Sequence, residues 1–311
     1  MEMTSSFDLT RFRGIFPAAM TMFDAGGNLD EVATAEHWEW LIEQGADGLV
    51  VCGTSGEFIA LQPDEQRRLY ALAMRVAHGR VPVVAGTGHY TTRLTIEQTR
   101  AARDLGVDAA IVILPYYQKP PKPALLEHYR RLRAAVPDLP VMLYNNPLYS
   151  GCAEITPPEI ASLVREGTVQ MVKSTFESVV PVHDLVYLVG DAMRIFYGSF
   201  SSAYEGLAAG AHGWISGVLN VAVSEARQLY QAVTVEKNLT HAFELWMRIL
   251  PLVHLYTHRQ VGEVNDLAIY RSILAHWGHR RTFSRLPFEP LTPEQERILV
   301  KRLEATGWDH R

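Results

Sequence analysis

Residues 81–114 read VPVVAGTGHYTTRLTIEQTRAARDLGVDAAIVIL, in which two short runs of β-branched and small apolar residues flank a longer segment. A buried strand gives a continuous apolar run of about four to eight residues, whereas an amphipathic helix repeats its apolar residues at intervals of three and four. The stretch therefore predicts a strand, a helix that ends before Gly106, and a second strand. Because the connection is long enough to hold a helix, the two strands are expected to be parallel.

The same unit recurs about every 25 to 30 residues, which is the period of successive βα units. The predicted strands are residues 14–23, 48–53, 81–87, 109–114, 140–146, 169–174, 193–198 and 213–217. The predicted helices that follow them are residues 31–44, 63–77, 92–105, 122–135, 157–165, 179–188, 201–209 and 221–233. Eight parallel strands with helical crossovers predict the α/β class and a (β/α)8 TIM barrel, whose functional side chains stand at the carboxyl ends of the strands.

An open doubly wound sheet is the alternative fold for this alternation. Such a sheet usually carries a glycine-rich dinucleotide turn after its first strand, and residues 17–23 contain no glycine. Gly86-Thr87-Gly88 lacks the third glycine of that fingerprint. The barrel is therefore the preferred prediction.

Beyond about residue 236 the pattern becomes wholly helical, with helices predicted to about residue 256, over 261–277 and over 293–305. Residues 278–293 are polar and contain proline, which is typical of a linker. We therefore predict a barrel domain over residues 1–235 and a C-terminal helical region over residues 236–311 that packs on the barrel.

The composition is that of a soluble globular protein, since 48% of the 311 residues are hydrophobic and 20% are charged. The net charge of -5 is spread along the chain, so no nucleic-acid or membrane partner is expected and a small-molecule ligand is favoured. Residues 1–14 show no apolar signal segment, and no apolar run approaches the roughly 18 residues of a bilayer span. Cys52 and Cys152 form no disulfide framework and indicate reduced thiols. A cytoplasmic location is expected.

Lys173 lies near the end of the apolar run 169–174, at the carboxyl end of predicted strand six. Functional side chains stand at that end of a TIM barrel, and partial burial there favours a neutral, nucleophilic amine over the ammonium ion. Lys173 is therefore a candidate for Schiff-base formation. The alternative is a lysine whose ammonium group reaches water or pairs with an acid such as Glu177.

Two further features could serve such a lysine. Tyr144 lies near the end of predicted strand five, PVMLYNNP (140–147), which should neighbour strand six at about 4.8 Å. A phenol beside an amine can carry the protons that carbinolamine formation and dehydration require. The loop CGTSGEF (52–58) offers amides, two hydroxyls and a following helix to an anion such as the carboxylate of a 2-oxo acid. Taken alone, Tyr144 could be a core aromatic and the loop an ordinary turn.

Four motifs stand in order at these barrel positions. They are Gly53-Thr54-Ser55-Gly56-Glu57, Pro115-Tyr116-Tyr117, Tyr144-Asn145-Asn146-Pro147 with Gly151 beyond it, and Val172-Lys173-Ser174-Thr175. Together they resemble the dihydrodipicolinate synthase / N-acetylneuraminate lyase superfamily of class I aldolases, which act on pyruvate-type 2-oxo acids through a Schiff base. The resemblance covers nearly the whole chain, including Gly213-Trp214-Ile215-Ser216 and the C-terminal helical region.

The resemblance implies that Lys173 forms an imine with the C2 carbonyl of pyruvate or a related 2-oxo acid. Tyr144 would be the general acid and base, with protons relayed through Thr54 to Tyr117 of the partner subunit. The iminium would serve as the electron sink, so neither a metal nor a coenzyme is expected. Because Tyr117 would serve a neighbour's site, a homotetramer built from tight dimers is expected.

The resemblance also implies the groups that hold the substrate. Ser55, with the amides of Thr54 and Ser55, would bind the carboxylate. Thr175 and the backbone of Ile215 would contact the bound pyruvate.

Three departures from the family pattern bear on the substrate. Tyr149 stands where dihydrodipicolinate synthases carry an arginine for the second substrate's carboxylate, so lysine biosynthesis is not expected. Phe200 and Ser201 stand where sialic acid lyases carry an Asp-Glu pair for the polyol chain. Aromatic rings satisfy few hydroxyls, which favours a shorter, less hydroxylated or aromatic tail. The candidates are aldolases for aryl-substituted pyruvates, dehydratases or deaminases of small 2-oxo or cyclic imino acids, and 2-keto-3-deoxy acid aldolases.

Three alternatives stay open. A non-catalytic 2-oxo acid sensor would keep the imine without turnover, and a dihydrodipicolinate synthase with an atypical second-substrate site would keep that enzyme's reaction. The third is a metal-dependent barrel hydrolase, because His254 and His258 are four residues apart on a predicted helix. No HExxH motif and no obvious third ligand accompany them, so a metal site is not predicted.

Overall fold

The structure, a computed structural model, describes residues 7–309. Residues 1–6, which belong to the stretch 1–14 in which no signal segment is predicted, lie outside the described residues. Eight parallel strands alternate with helices. The strands are β1 (Gly14–Pro17), β2 (Leu49–Val51), β3 (Val83–Gly86), β4 (Ala109–Ile113), β5 (Val141–Asn145), β6 (Met171–Ser174), β7 (Arg194–Tyr197) and β8 (Gly213–Ser216).

The eight strands form one sheet in the order β1-β8-β7-β6-β5-β4-β3-β2. The two ends of this order meet, because Ala18 and Val50 form a parallel bridge and the Ala19 amide donates to the Val50 carbonyl at 2.9 Å. The sheet is therefore a barrel. The prediction of a (β/α)8 TIM barrel is confirmed, and the alternative of an open doubly wound sheet is wrong.

The helices are α1 (Glu31–Glu43), α2 (Pro63–Ala77), α3 (Thr92–Asp104), α4 (Lys122–Ala135), α5 (Pro147–Ser150), α6 (Pro157–Arg165), α7 (Val180–Val189), α8 (Ala203–Ala208), α9 (Leu219–Thr234), α10 (Leu239–Thr257), α11 (Asp266–His276) and α12 (Pro293–Thr306). α2 begins where it was predicted to, because Gln62 and Glu65 form a capping box and Pro63 occupies the first turn. The predicted first strand, 14–23, is too long. Residues 18–23 are buried above the barrel, where Phe23 bridges to Leu29 and Phe283 instead of continuing the parallel ladder.

Apolar side chains fill both faces of the barrel wall, which explains why the strands are continuous apolar runs. The inner face carries one buried cluster, which includes Phe16, Met142, Met171, Phe196 and Ile215. The larger cluster lies between the outer face of the sheet and the surrounding helices. Because side chains alternate along a strand, a residue two positions after an inner-face residue also points inward.

The C-terminal helices reach back to the loops at the carboxyl ends of the strands. Arg271 of α11 forms a buried ion pair with Glu57 of the loop after β2, at 2.8 Å. After α11, the Phe283 amide donates to the Phe23 carbonyl at 3.0 Å. α11 therefore covers one side of the barrel mouth, while the division of the chain at residue 235 stays a prediction.

Within residues 7–309, no helix is both long and apolar enough to span a membrane.

Two buried histidines make the fold sensitive to acid. Burial lowers the pKa of His37 and of His128 to about 4. Each folded pKa lies below the unfolded value of about 6.5, so the unfolded chain binds more protons and stability falls as the pH falls through this window. We expect each of the two histidines to lower the unfolding free energy by about 2 kcal/mol when the pH falls from 7.5 to 5. Burial raises the pKa values of Glu57 and Asp266. These two carboxyl groups bind protons more readily in the folded chain, so they add to the unfolding free energy as the pH falls.

Denaturant titrations at pH 7.5, 6.0 and 5.0 measure this loss. A His128→Gln variant should show a shallower decline than the unmodified chain. An unfolding free energy that stays constant down to pH 5 would contradict the assignment.

Candidate active site

A cavity of about 780 Å³ opens at the carboxyl ends of the barrel strands. Its inner part is lined by Lys173 of β6, Tyr144 of β5 and the loop after β2. Its outer, distal part is lined by residues of the loops after β5 and β7 and of α10 and α11. This is the end of the barrel at which the sequence places functional side chains.

Lys173 and Tyr144 lie side by side in this cavity. The two residues are register partners on adjacent strands, and Nζ of Lys173 lies 4.2 Å from the centroid of the Tyr144 ring. Lys173 is only 6% exposed, and no acid among residues 7–309 forms an ion pair with it. The predicted neighbourhood of the two residues is confirmed. The alternative of a solvated lysine or a pair with Glu177 is wrong, because Lys173 follows Met171 on the inner face of the barrel.

The hydroxyl of Tyr144 lies in a strongly polar setting. Burial by itself raises its pKa, but the positive charge of Lys173 and a hydrogen bond donated by Asn146 at 3.0 Å outweigh burial and lower the pKa below its usual value. The Thr54 hydroxyl approaches it and lowers the pKa further, without the geometry of a regular hydrogen bond. A phenol in this setting gives up its proton more readily than one in water.

The loop after β2 is held in an unusual backbone conformation. Cys52 and Glu57 have positive φ angles of 51° and 54°, which non-glycine residues seldom adopt. The Glu57 carboxylate anchors the loop by accepting from Arg271 at 2.8 Å and from the Arg285 amide at 3.1 Å. The loop therefore depends on the C-terminal segment for its shape.

The predicted helix 63–77 is confirmed, but it does not begin directly after this loop. A short 3-10 turn, Phe58–Ala60, follows the loop, and α2 begins only at Pro63. Because this turn separates the loop from α2, the amino end of α2 does not begin at the loop. The amides of Thr54 and Ser55 find no backbone acceptor among residues 7–309 and remain able to donate to an anion.

Three buried hydroxyls line the cavity without a hydrogen-bond partner among the described residues. They belong to Thr54, Thr175 and Ser216. Leaving a buried hydroxyl without a hydrogen-bond partner costs about 1 to 3 kcal/mol of folding free energy, so such groups indicate a site for a polar ligand. Gly198 provides the space beside them, because a Cβ at this position would lie 2.1 Å from Oγ1 of Thr175 and 2.9 Å from Cε of Lys173.

Two other predicted residues stand apart from the cavity. The side chain of Ile215 lies in the inner barrel core, and its neighbour Ser216 lines the cavity instead. The predicted backbone contact of Ile215 stays a prediction. Tyr117 is 85% exposed and does not line the cavity of its own chain, whereas Tyr116 does. Ser55, which is buried, lines the cavity, and its contact with a carboxylate stays a prediction.

The distal part of the cavity is largely aromatic. It contains the predicted residues Tyr149, Phe200 and Ser201, and the Phe200 ring lies 5.8 Å from that of Tyr256. The Tyr149 and Tyr256 hydroxyls also lie near each other. Sequence reasoning missed Tyr256 and, beside it, Asp266. Both come from the C-terminal helices, whose position over the barrel mouth no local motif encodes.

The cavity holds little positive charge. Within the described ranges, Lys173 is the only cationic side chain that lines it, whereas Glu57, Glu177 and Asp266 are acidic. Glu57 is neutralised by Arg271. A ligand that brings a second carboxylate would therefore find no cation in the distal part.

His254 and His258 do not contribute to this site. Their rings stack at 3.9 Å at the end of α10, where His258 is the cap residue, and neither lines the cavity. No group of three or more His, Cys, Asp or Glu side chains within residues 7–309 is arranged to hold a metal ion.

Comparisons with known proteins agree with this fold. Residues 11–306 match the model described as the dihydrodipicolinate synthetase family. A 4-hydroxy-tetrahydrodipicolinate synthase from Methanothrix thermoacetophila is 34% identical over 95% of this chain and 99% of its own. The dihydrodipicolinate synthase from Acinetobacter baumannii, solved with pyruvate, superposes with a TM-score of 0.86 at 30% identity over 95% of this chain and 99% of its own. A prophage protein of the same family from E. coli K12, also solved with pyruvate, gives 0.86 at 28% identity over 96% and 99%.

Proposed function

The chain belongs to the dihydrodipicolinate synthetase family and is a lyase, and we propose that it acts on pyruvate or a related 2-oxo acid by forming a Schiff base at Lys173. The observation that carries the proposal is the Lys173 amine, buried in the cavity over the Tyr144 ring and without an acid partner among the described residues. An amine held this way can attack a carbonyl that enters the cavity. Two of the similar structures contain pyruvate, which supports the substrate class.

The chemistry follows from the groups around the amine. Nζ of Lys173 attacks C2 of the 2-oxo acid, and the carbinolamine loses water when the Tyr144 hydroxyl protonates the departing oxygen. In a 4-hydroxy-2-oxo acid, removal of the C4 hydroxyl proton breaks the C3–C4 bond and releases an aldehyde. The bonding electrons pass into the iminium to give an enamine, which is protonated at C3 and hydrolysed to free pyruvate. No separate cofactor takes part in these steps.

The same groups position the substrate. Ser55 and the amides of Thr54 and Ser55 would hold the carboxylate of the 2-oxo acid, as oriented donors do for anions. Thr175 and Ser216 add unpartnered hydroxyls to the same cavity.

The second substrate, or leaving group, is proposed to differ from those of dihydrodipicolinate synthase and sialic acid lyase. The distal cavity has Tyr149, Phe200 and Ser201 at the deciding positions and no cationic side chain among the described residues. A buried carboxylate without a cation is strongly disfavoured. The names of the curated relatives favour the opposite candidate, a dihydrodipicolinate synthase with an atypical second-substrate site.

A homotetramer remains part of the proposal. Tyr117 is exposed and lies outside the cavity of its own chain. If each subunit placed its Tyr117 in the cavity of the neighbouring subunit, this side chain would lie beside Thr54 and Tyr144 of that subunit. The proton relay would then have a path to solvent. Sedimentation of an active monomer would contradict this part.

A substrate panel tests the proposed function. The purified chain is incubated with 4-hydroxy-2-oxo acids carrying alkyl, aryl or hydroxylated tails, and with pyruvate plus aspartate semialdehyde. Release of pyruvate and loss of water are followed separately. Turnover of a 2-oxo acid without turnover of aspartate semialdehyde is expected.

The other outcomes decide between the alternatives. Efficient condensation of aspartate semialdehyde would establish the atypical synthase. Imine formation without turnover on any member of the panel would establish a 2-oxo acid sensor. Activity that is lost with a chelator would indicate the metal-dependent hydrolase.

A further inference from the structure

Asp266 places a carboxyl group in the cavity for which the proposed reaction has no role. It is the first residue of α11, and it lines the distal cavity beside Tyr149 and Tyr256. It lies close to Ser55 across Gly217, since a Cβ at Gly217 would lie 3.2 Å from Oδ2 of Asp266 and 2.9 Å from Oγ of Ser55. Asp266 thus stands between the proposed carboxylate pocket and the aromatic distal pocket.

The Asp266 carboxyl lies beside the cap of α11 and is not itself the cap. The Leu267 amide donates to Oδ1 of the cap residue Asn265 at 2.9 Å, while the nearby amides of Leu267 and of Asp266 itself favour the ionised form of the Asp266 carboxyl. Within residues 7–309 it forms no ion pair, because the nearby Arg271 is engaged by Glu57. The carboxyl oxygens therefore keep acceptor capacity for a ligand in the cavity that Asp266 lines.

The charges around Asp266 determine which ligands it tolerates. Its neighbours Tyr149, Tyr256 and Tyr270 are phenols whose ionisation the negative charge of Asp266 opposes. Burial raises the pKa of Asp266 to about 6, so at pH 7.5 the carboxylate still predominates. A second carboxylate in this pocket would meet like charge in a poorly solvated space, whereas a hydroxyl group could donate to it.

We propose that Asp266 determines the specificity of the lyase for its second substrate, by accepting a hydrogen bond from a hydroxyl group of an uncharged aldehyde or leaving group and by excluding carboxylates. The aromatic rings of the distal cavity supply the apolar surface on which the rest of that molecule packs. This inference rests on the proposed function for the identity of the reaction. Its recognition step is measurable without turnover.

Three matched probes test it by ligand-observed NMR titration at pH 7.5: benzyl alcohol, 4-hydroxybenzyl alcohol and 4-(hydroxymethyl)benzoate. The unmodified chain should bind the phenolic probe at least about 10-fold more tightly than the carboxylate probe. The phenol can donate a charge-assisted hydrogen bond to Asp266, whereas the carboxylate meets a like charge there. Asp266→Ala should abolish the preference for the phenolic probe over benzyl alcohol. Asp266→Asn, which has nearly the same shape, should raise the affinity for the carboxylate probe about 10-fold.

Glu263→Gln is the matched control, because Glu263 is an exposed acid three residues earlier that pairs with Arg259 and does not line the cavity. It should leave all three affinities within about 2-fold, as expected for a screened surface charge. Equal binding of the three probes by the unmodified chain, absence of binding, or the same selectivity in Asp266→Asn would overturn the proposal. Failure of the proposed function appears separately, as the lack of a pyruvate adduct on Lys173 with the probe selectivity intact.

Discussion

Replacement of Lys173 by alanine is expected to lower kcat/KM for the 2-oxo acid substrate by at least about 10⁴-fold, because the imine and the iminium electron sink can no longer form. No other cationic side chain within residues 7–309 lines the cavity to replace it. The measurement is steady-state turnover of the best substrate from the panel, with substrate at several concentrations so that kcat and KM are separated.

Lys173→Arg is the matched control for this prediction. A guanidinium keeps the positive charge over the Tyr144 ring but is not nucleophilic at neutral pH. The arginine variant should therefore be as inactive as the alanine variant. If it keeps more than about a tenth of the activity, Lys173 acts through its charge and not as a nucleophile. Circular dichroism and thermal melting confirm that both variants are folded.

Replacement of Tyr144 by phenylalanine is expected to lower kcat by about 10² to 10⁴-fold, the usual range for loss of a general acid and base. The ring that faces Nζ of Lys173 is retained, so KM for the 2-oxo acid should change little. The imine should still form, but slowly, because loss of water from the carbinolamine then lacks its proton donor. Stopped-flow measurement of imine formation separates this step from C–C bond cleavage.

Tyr116→Phe removes another phenol that lines the same cavity and serves as the control. Its pKa is raised by burial, in contrast with that of Tyr144, and it lacks the contact with Lys173. The Tyr116 variant should stay within about 5-fold of the unmodified kcat, since it loses at most one hydrogen bond. A Tyr144→Phe enzyme that is as active as the Tyr116 variant would exclude Tyr144 as the proton carrier.

The fold could be predicted from local signals because the strands and helices differ in their apolar period. Residues 63–77, 122–135 and 157–165 were predicted with the bounds that the structure shows, since proline at or near the first turn marks each start. The first strand was predicted too long, because residues 18–23 are apolar for burial above the barrel and not for the ladder. A periodic pattern reports burial, and only tertiary contacts show which surface buries a residue.

The inner half of the candidate site was equally predictable. Lys173 and Tyr144 end neighbouring strands, and parallel strands bring their ends together. The distal half was not, because Tyr256 and Asp266 reach the cavity through the packing of α10 and α11 across the barrel mouth. Ser216 was missed, since the inward or outward direction of each residue at a strand end depends on register that one sequence does not give.

Reduction of the imine is the most direct test of the central claim, that Lys173 joins covalently to a 2-oxo acid. The chain is incubated with pyruvate and borohydride, digested, and its peptides are analysed by mass spectrometry. One reduced pyruvyl group on Lys173, absent without pyruvate, is the predicted result. A chain that gains no such group, or gains it at other lysines while Lys173 stays unmodified, would contradict the account.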